Sequence, residues 1–166
     1  MSVRKSLDDR THKWAVRFRT IRVETKCLSS RAEWLGRKVA VVSAANGERA
    51  LAVLVVEDEF FVRYDIAGCL REAGYAVVET GSGEEALALC KSGMPIDMIV
   101  TDINLGGSAS GWDVAKRFRS EQPDMPVVYI SGERFDSERC VPGSVFVAKP
   151  YQHIDILSAC RRLHKR

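Results

Sequence analysis

Four apolar runs of this 166-residue chain end on side chains that could do chemistry together. Leu51–Val56 runs into Glu57-Asp58, and Met98–Thr101 into Asp102. Val127–Ile130 leads to Ser131-Gly132, and Val145–Ala148 to Lys149. Asp is disfavoured in strands, and a buried charge is costly without a partner. An acid at the tip of a core strand therefore needs a reason. Three neighbouring carboxylates repel one another unless a cation stands between them. Hard carboxylates with a backbone carbonyl nearby suit Mg²⁺, which keeps several waters and bridges to phosphate. An ammonium and a hydroxyl belong to the same set.

That reading requires the four run ends to meet. From residue 51 onward, strand-like and helix-like segments alternate. Val62, Ile66, Cys69, Leu70 and Ala73 share one helical face, and Gly74 stops that helix. A short strand over Tyr75–Glu79 follows. Ser82 and Glu85 form an S-x-x-E capping box for a helix reaching Gly93. Pro95 precedes a strand over Asp97–Thr101. Ser110 caps a helix with Val114, Ala115 and Phe118 inward, which Pro123 closes. After Pro150 a last helix carries Ile156, Leu157, Cys160 and Leu163 on one face, and Arg161, Arg162, Lys165 and Arg166 suit its C-terminal dipole. Alternation of this kind implies an α/β fold, a five-stranded parallel doubly wound sheet with helices on both faces. Its strands are continuously apolar, as strands buried on both sides should be. Function in such sheets collects at the carboxyl ends of the strands, where all five side chains fall. The connection 132–144 is too short for a typical helix of about 11 residues plus its Pro142-Gly143 turn. The fourth crossover helix is expected to be short or absent.

Charge divides the chain. Residues 1–49 carry 12 Lys/Arg against 5 Asp/Glu, and residues 50–166 carry 13 against 17. A basic leader over 1–48 therefore precedes an acidic domain over 49–166. The leader is expected to be loose, with Trp14, Val16 and Phe18 alternating with basic residues but lacking partners. Asn46-Gly47 would ordinarily signal a hairpin, but an interior first strand has no free edge, so it reads as loop. No Met lies between Met1 and Met94, which leaves Val42 a candidate later start. No apolar run approaches the roughly 20 residues that cross a bilayer, and no signal peptide is visible. Five cysteines without C-x-x-C spacing point to reduced thiols in a cytoplasmic protein and argue against zinc.

The stretches VLVVEDE, VTDINLGG, YISG and FVAKPY, in this order, resemble the receiver domain of two-component response regulators over about residues 51–165. The resemblance implies a flavodoxin-like fold with strand order 2-1-3-4-5. It implies that Asp102 is the phosphoacceptor, taking a phosphoryl group from a phosphohistidine. Asp58 would ligate Mg²⁺ directly, Glu57 through water, and the Asn104 carbonyl would complete the protein ligands. Lys149 would neutralise phosphoryl oxygens, and Ser131 would bond one after transfer. Phe146 falls at the aromatic switch position, where the family often has Tyr. The Lys149–Pro150 bond would be cis. The implied partners are a sensor histidine kinase or a histidine phosphotransferase, and a downstream protein that the sequence does not name. Such a domain catalyses only its own phosphorylation and dephosphorylation.

Taken singly, each residue has a blander reading. Asp102 alone is a loop or cap acid, Glu57-Asp58 a solvated pair, Lys149-Pro150 a strand end. Cys69, Cys90 and Cys160 read as small core residues, and Trp112 and Tyr151 as packing. Joint placement at one sheet edge is what favours chemistry. Two other functions compete: a pseudo-receiver that only binds partners, and a DNA-binding regulator using Arg17, Arg19 and Arg22. The intact set of Glu57, Asp58, Asp102, Ser131 and Lys149 opposes the first. The second is disfavoured because the leader is short and basic charge alone is nonspecific. After Lys149 only one helix follows, so output is expected through partner binding or phosphate relay. Two departures from the family stand out. Leu105-Gly106-Gly107-Ser108 replaces the usual Pro-Gly, which predicts a longer, looser loop, and the shortened fourth crossover resembles stand-alone receivers of alphaproteobacteria.

Overall fold

A computed structural model describes residues 49–132, 136 and 138–164. In chain order the elements are β1 (Ala52–Val56), α1 (Phe60–Glu72), β2 (Ala76–Thr80), α2 (Gly83–Lys91), β3 (Met98–Asp102), α3 (Gly111–Glu121), β4 (Val127–Ser131), β5 (Val145–Ala148) and α4 (His153–His164). All pairings are parallel, and the sheet order is β2-β1-β3-β4-β5. This is the predicted doubly wound architecture. Among the described residues of the β4–β5 connection there is no helix, in keeping with its length. The expectation for the leader over 1–48 lies outside the described residues, as does Cys27.

Side chains alternate across each strand, so every central strand feeds two cores. Leu54, Val56, Ile99, Val127 and Tyr129 pack with Ala86 of α2 and Trp112, Val114 and Phe118 of α3. Val53, Val55, Val100, Val128 and Ile130 pack with Ile66 and Leu70 of α1 and Ile156, Cys160 and Leu163 of α4. Each such aliphatic side chain contributes about 1.5–3 kcal/mol when fully buried. A slip of one residue would exchange the two cores wholesale, so register is tightly held. Trp112 is buried, its ring 4.4 Å from that of Tyr129, which confirms a packing role. Burial pushes the Tyr129 hydroxyl up to about 12, where it accepts a bond from the Val141 amide. Cys69 and Cys160 are buried free thiols, and Cys90 is a half-buried one.

Local signals held with two corrections. Ser110 caps α3 with a complete capping box whose reciprocal partner is Asp113. At α2 the box is only half made: Ser82 Oγ accepts from Glu85 N, but Glu85 Oε2 accepts from Gly81 N instead of returning to Ser82. Ala73, expected inward, is exposed, because α1 ends one residue earlier and Ala73 becomes its C-cap. Gly74 then turns the chain at φ +93°.

Candidate functional site

Register brings the site together. Val56 pairs with Thr101, so Glu57 and Asp102 are the next positions along β1 and β3. Asp102 pairs with Ile130, one residue before Ser131, and Ser131 pairs with Ala148, one residue before Lys149. Four strands thus deliver their last polar residues to one edge.

There the Lys149 ammonium bridges two acids. Its Nζ lies 3.1 Å from Asp102 Oδ2 and 3.2 Å from Glu57 Oε2. The other oxygens are also committed: Asp102 Oδ1 accepts from Ile103 N at 2.7 Å, and Glu57 Oε1 from Glu59 N at 3.3 Å. Glu57 is only 1% exposed and Asp102 8%, whereas Asp58 faces solvent. One carboxylate oxygen from each of Glu57, Asp58 and Asp102 lies within 4.8 Å of the other two. Three acids against one ammonium leave the cluster net negative, open to solvent on the Asp58 side. Oxygens on one Mg²⁺ sit at most about 4 Å apart, given bonds of about 2.1 Å. The all-oxygen donor set, gathered within 4.8 Å, fits a hard cation.

The titration behaviour follows from burial and crowding. Burial, helped by the Asp102 charge, raises the Glu57 pKa above the ordinary carboxylate value, and Lys149 only partly offsets this. Burial alone would lower Lys149, but Asp102 and Glu57 together outweigh it and hold the ammonium above its usual value. A carboxyl whose folded pKa is raised stabilises the fold while protonated, and that contribution is lost as pH rises through the folded value. In metal-free protein Glu57→Gln should therefore raise the melting temperature at neutral pH. The gain should vanish on acidification, where wild-type Glu57 is protonated as well. Thermal melts in EDTA across acid to neutral pH check this.

The remaining expected residues fall around this centre. Ser131 is buried, and its carbonyl accepts from Lys149 N at 2.8 Å. Beyond it, a Cβ at Gly132 would meet no atom of the described residues within 4 Å. Asn104 is exposed in the loop directly after β3. Phe146, half-buried on β5, pairs in register with Tyr129 and packs on the α2–α3 side of the sheet. The Lys149–Pro150 bond is cis, as the resemblance implies.

Three features carried no signal in the sequence. Arg63 of α1 turns under the acids, its Nη1 donating to the Glu57 carbonyl at 2.6 Å and the Asp58 carbonyl at 3.4 Å. It fixes the turn that presents both carboxylates. Phe60, Phe61 and Tyr64 form an exposed aromatic group beside them, 61%, 82% and 64% accessible. The loop after β3 is not loose as predicted. Glu84 of α2 ties it down, accepting from Ser108 N, Ser108 Oγ and Ala109 N.

A five-stranded parallel sheet with an acidic cluster and a lysine at its carboxyl edge defines the receiver class. The family model of the response regulator receiver domain matches residues 53–161, and the chain belongs to that family, a signalling module of two-component systems. It is similar to the probable transcriptional regulatory protein TcrX of Mycobacterium tuberculosis, 30% identical over 74% of this chain and 53% of that protein. The chain thus spans about half the length of that relative. It is also similar to the two-component response regulator ORR5 of Oryza sativa subsp. japonica, 32% identical over 67% of this chain and 87% of that protein. Among solved structures it resembles a response regulator receiver protein from Sinorhizobium medicae. That match has a TM-score of 0.65 and 32% identity, covering 70% of this chain and 95% of the other. No helix among the described residues is long and apolar enough to cross a membrane.

Proposed function

We propose that this domain is a phosphoacceptor switch in which Asp102 takes a phosphoryl group from a phosphohistidine of a sensor kinase or histidine phosphotransferase. The single observation that carries the reading is the Lys149 ammonium bridging Asp102 and Glu57 beside a third carboxylate. Asp58, Asp102 and the Asn104 carbonyl would hold Mg²⁺ directly and Glu57 through water. When bound, the cation would neutralise the carboxylates and the incoming phosphoryl oxygens. The Asp102 carboxylate attacks phosphorus, the P–N bond to imidazole breaks, and the electron pair stays on the departing nitrogen. Lys149 exchanges its bond to Asp102 for one to a phosphoryl oxygen. Positioning and charge neutralisation of this kind supply most of the catalysis in phosphoryl transfer. The Ser131 hydroxyl then bonds a phosphoryl oxygen beside Gly132, which carries no side chain. Phe146 reports the change by packing, since it lacks a hydroxyl. The reaction is the domain's own modification, with no external substrate turned over.

Incubation with Mg²⁺ and acetyl phosphate, followed by intact mass, tests this directly. A gain of one phosphoryl group, reversed by base, is expected; an unchanged mass would leave only a partner-binding module.

The aromatic group on α1 supports docking of the donor protein beside Asp102, because contiguous exposed apolar surface marks interaction sites. Phe61→Ala should slow transfer from the cognate phosphoprotein by roughly tenfold, the loss typical of a truncated aromatic anchor. Its acetyl phosphate rate should not change. Equal slowing with both donors would remove Phe61 from the docking surface.

A further inference from the structure

Glu84 and Glu85 open α2 side by side, yet they serve different ends. Glu85 turns back to its own helix terminus through Gly81 N. Glu84 leaves the helix and reaches the loop after β3, twenty-four residues away. Three donors converge on its single oxygen Oε1: Ser108 N at 2.8 Å, Ser108 Oγ at 2.6 Å and Ala109 N at 3.1 Å.

The approach is built in on both sides. A Cβ at Gly83 would lie 2.3 Å from the Ala109 carbonyl oxygen, and one at Gly107 would lie 2.8 Å from Glu84 Oε2. At its other end the same loop presses on the acid cluster, where a Cβ at Gly106 would sit 3.0 Å from Asp58 Oδ2. Leu105 and Ala109 anchor it in the core. Gly106, Gly107 and Ser108 lie between these anchors, and Asn104 stands just before the first. Adjacent glycines have the greatest backbone freedom to lose. Without a tie, each binding event at the cluster would have to order this segment. The bonds from Ser108 and Ala109 also hold the Glu84 carboxyl down at about 2, so it remains an ionised acceptor throughout the neutral range.

We infer that Glu84 is a positioning residue: through Oε1 it holds the loop 104–109 in the arrangement that Asp58, Asp102 and the Asn104 carbonyl need to bind a divalent cation. This rests on the Mg²⁺-dependent reading proposed above. It acts through the loop and touches neither the cation nor the phosphoryl group.

The convergence on one oxygen makes the test discriminating. In the full chain, Glu84→Gln keeps a carbonyl acceptor at that place but loses the charge. Glu84→Asp keeps the charge on an arm one methylene shorter, and Glu84→Ala keeps neither. Mg²⁺ affinity is measured by NMR titration of the unphosphorylated protein, with hydrogen exchange at the Ser108 and Ala109 amides and the acetyl phosphate rate alongside. Glu84→Ala and Glu84→Asp should weaken Mg²⁺ about tenfold, as loss of a partner behind a metal ligand typically does. Their Ser108 and Ala109 amides should exchange faster. Glu84→Gln should stay within about twofold of wild type, because an exposed acceptor is retained. Unchanged Mg²⁺ affinity in Glu84→Ala overturns the inference. So does a Glu84→Gln protein as weak as Glu84→Ala, which would make charge at a distance the agent. If wild type binds no Mg²⁺, the functional reading itself fails and the inference falls with it. That result is distinct from failure in the variants alone.

Discussion

Asp102→Asn should fold normally and gain no phosphoryl group from acetyl phosphate or from a phosphohistidine donor. The amide keeps a carbonyl oxygen for Ile103 N but lacks the carboxylate proposed as nucleophile, and its other position faces the Lys149 ammonium. Loss of a nucleophile costs roughly a thousandfold or more. No other carboxylate can substitute: Glu57 is buried and held by Lys149 and Glu59 N, while Asp58 belongs to the turn fixed by Arg63. Glu85→Gln, whose carboxylate is committed to its own helix cap through Gly81 N, should label like wild type. The label should be stable to acid and labile to base, as an acyl phosphate is. Normal labelling of Asp102→Asn would end the mechanism proposed for this edge.

Gly111→Ala should produce the largest loss of stability. Gly111 begins α3, and its N–H donates to the Ile103 carbonyl at 2.9 Å. The helix start is therefore laid directly on the end of β3. A Cβ there would lie 2.0 Å from the Asp102 carbonyl oxygen and 2.9 Å from Thr101 Oγ1. Those are backbone and buried atoms, so relief requires the end of β3 or the whole helix to move. Overpacking costs about 1–3 kcal/mol, and here the upper end applies. At roughly 4 °C per kcal/mol for a domain of this size, the melting temperature should fall by about 10 °C. Phosphorylation should slow in parallel, since Asp102 itself is displaced. Gly68→Ala gives the contrast: it sits inside α1 and an added Cβ meets no atom of the described residues within 4 Å. That change should stabilise by about 0.5–1 kcal/mol through helix propensity. Equal melting temperatures for Gly111→Ala and wild type would show that the contact at β3 is not as close as described.

The order of elements, the doubly wound class and the convergence of Glu57, Asp58, Asp102, Ser131 and Lys149 were legible before any coordinates. The cause is that they depend on short-range chemistry. A buried strand advertises itself as an apolar run, its end as the first polar residue, and parallel pairing as alternation with helices. Ser110 announced its cap for the same reason, since its partner lies three residues away. That the described residues between β4 and β5 form no helix was a matter of chain length. Glu84 and Glu85 mark the boundary of this legibility. Side by side and identical in type, they differ only in what the fold brings near: Glu85 meets Gly81, and Glu84 meets a loop from beyond the next strand. The capping pattern therefore promised a reciprocal bond to Ser82, and Gly106-Gly107 promised slack. Glu85 instead accepted from Gly81, and contact of α2 with the loop before α3 took up the slack, where Gly83 and Gly107 admit an approach no side chain could share. Arg63 under the acid turn and the aromatics left bare on α1 have the same origin. Local spacing writes the elements and their chemical tips into the chain. Which exposed side chain braces which distant loop is set by distances between helices, and those exist only once the sheet has brought them together.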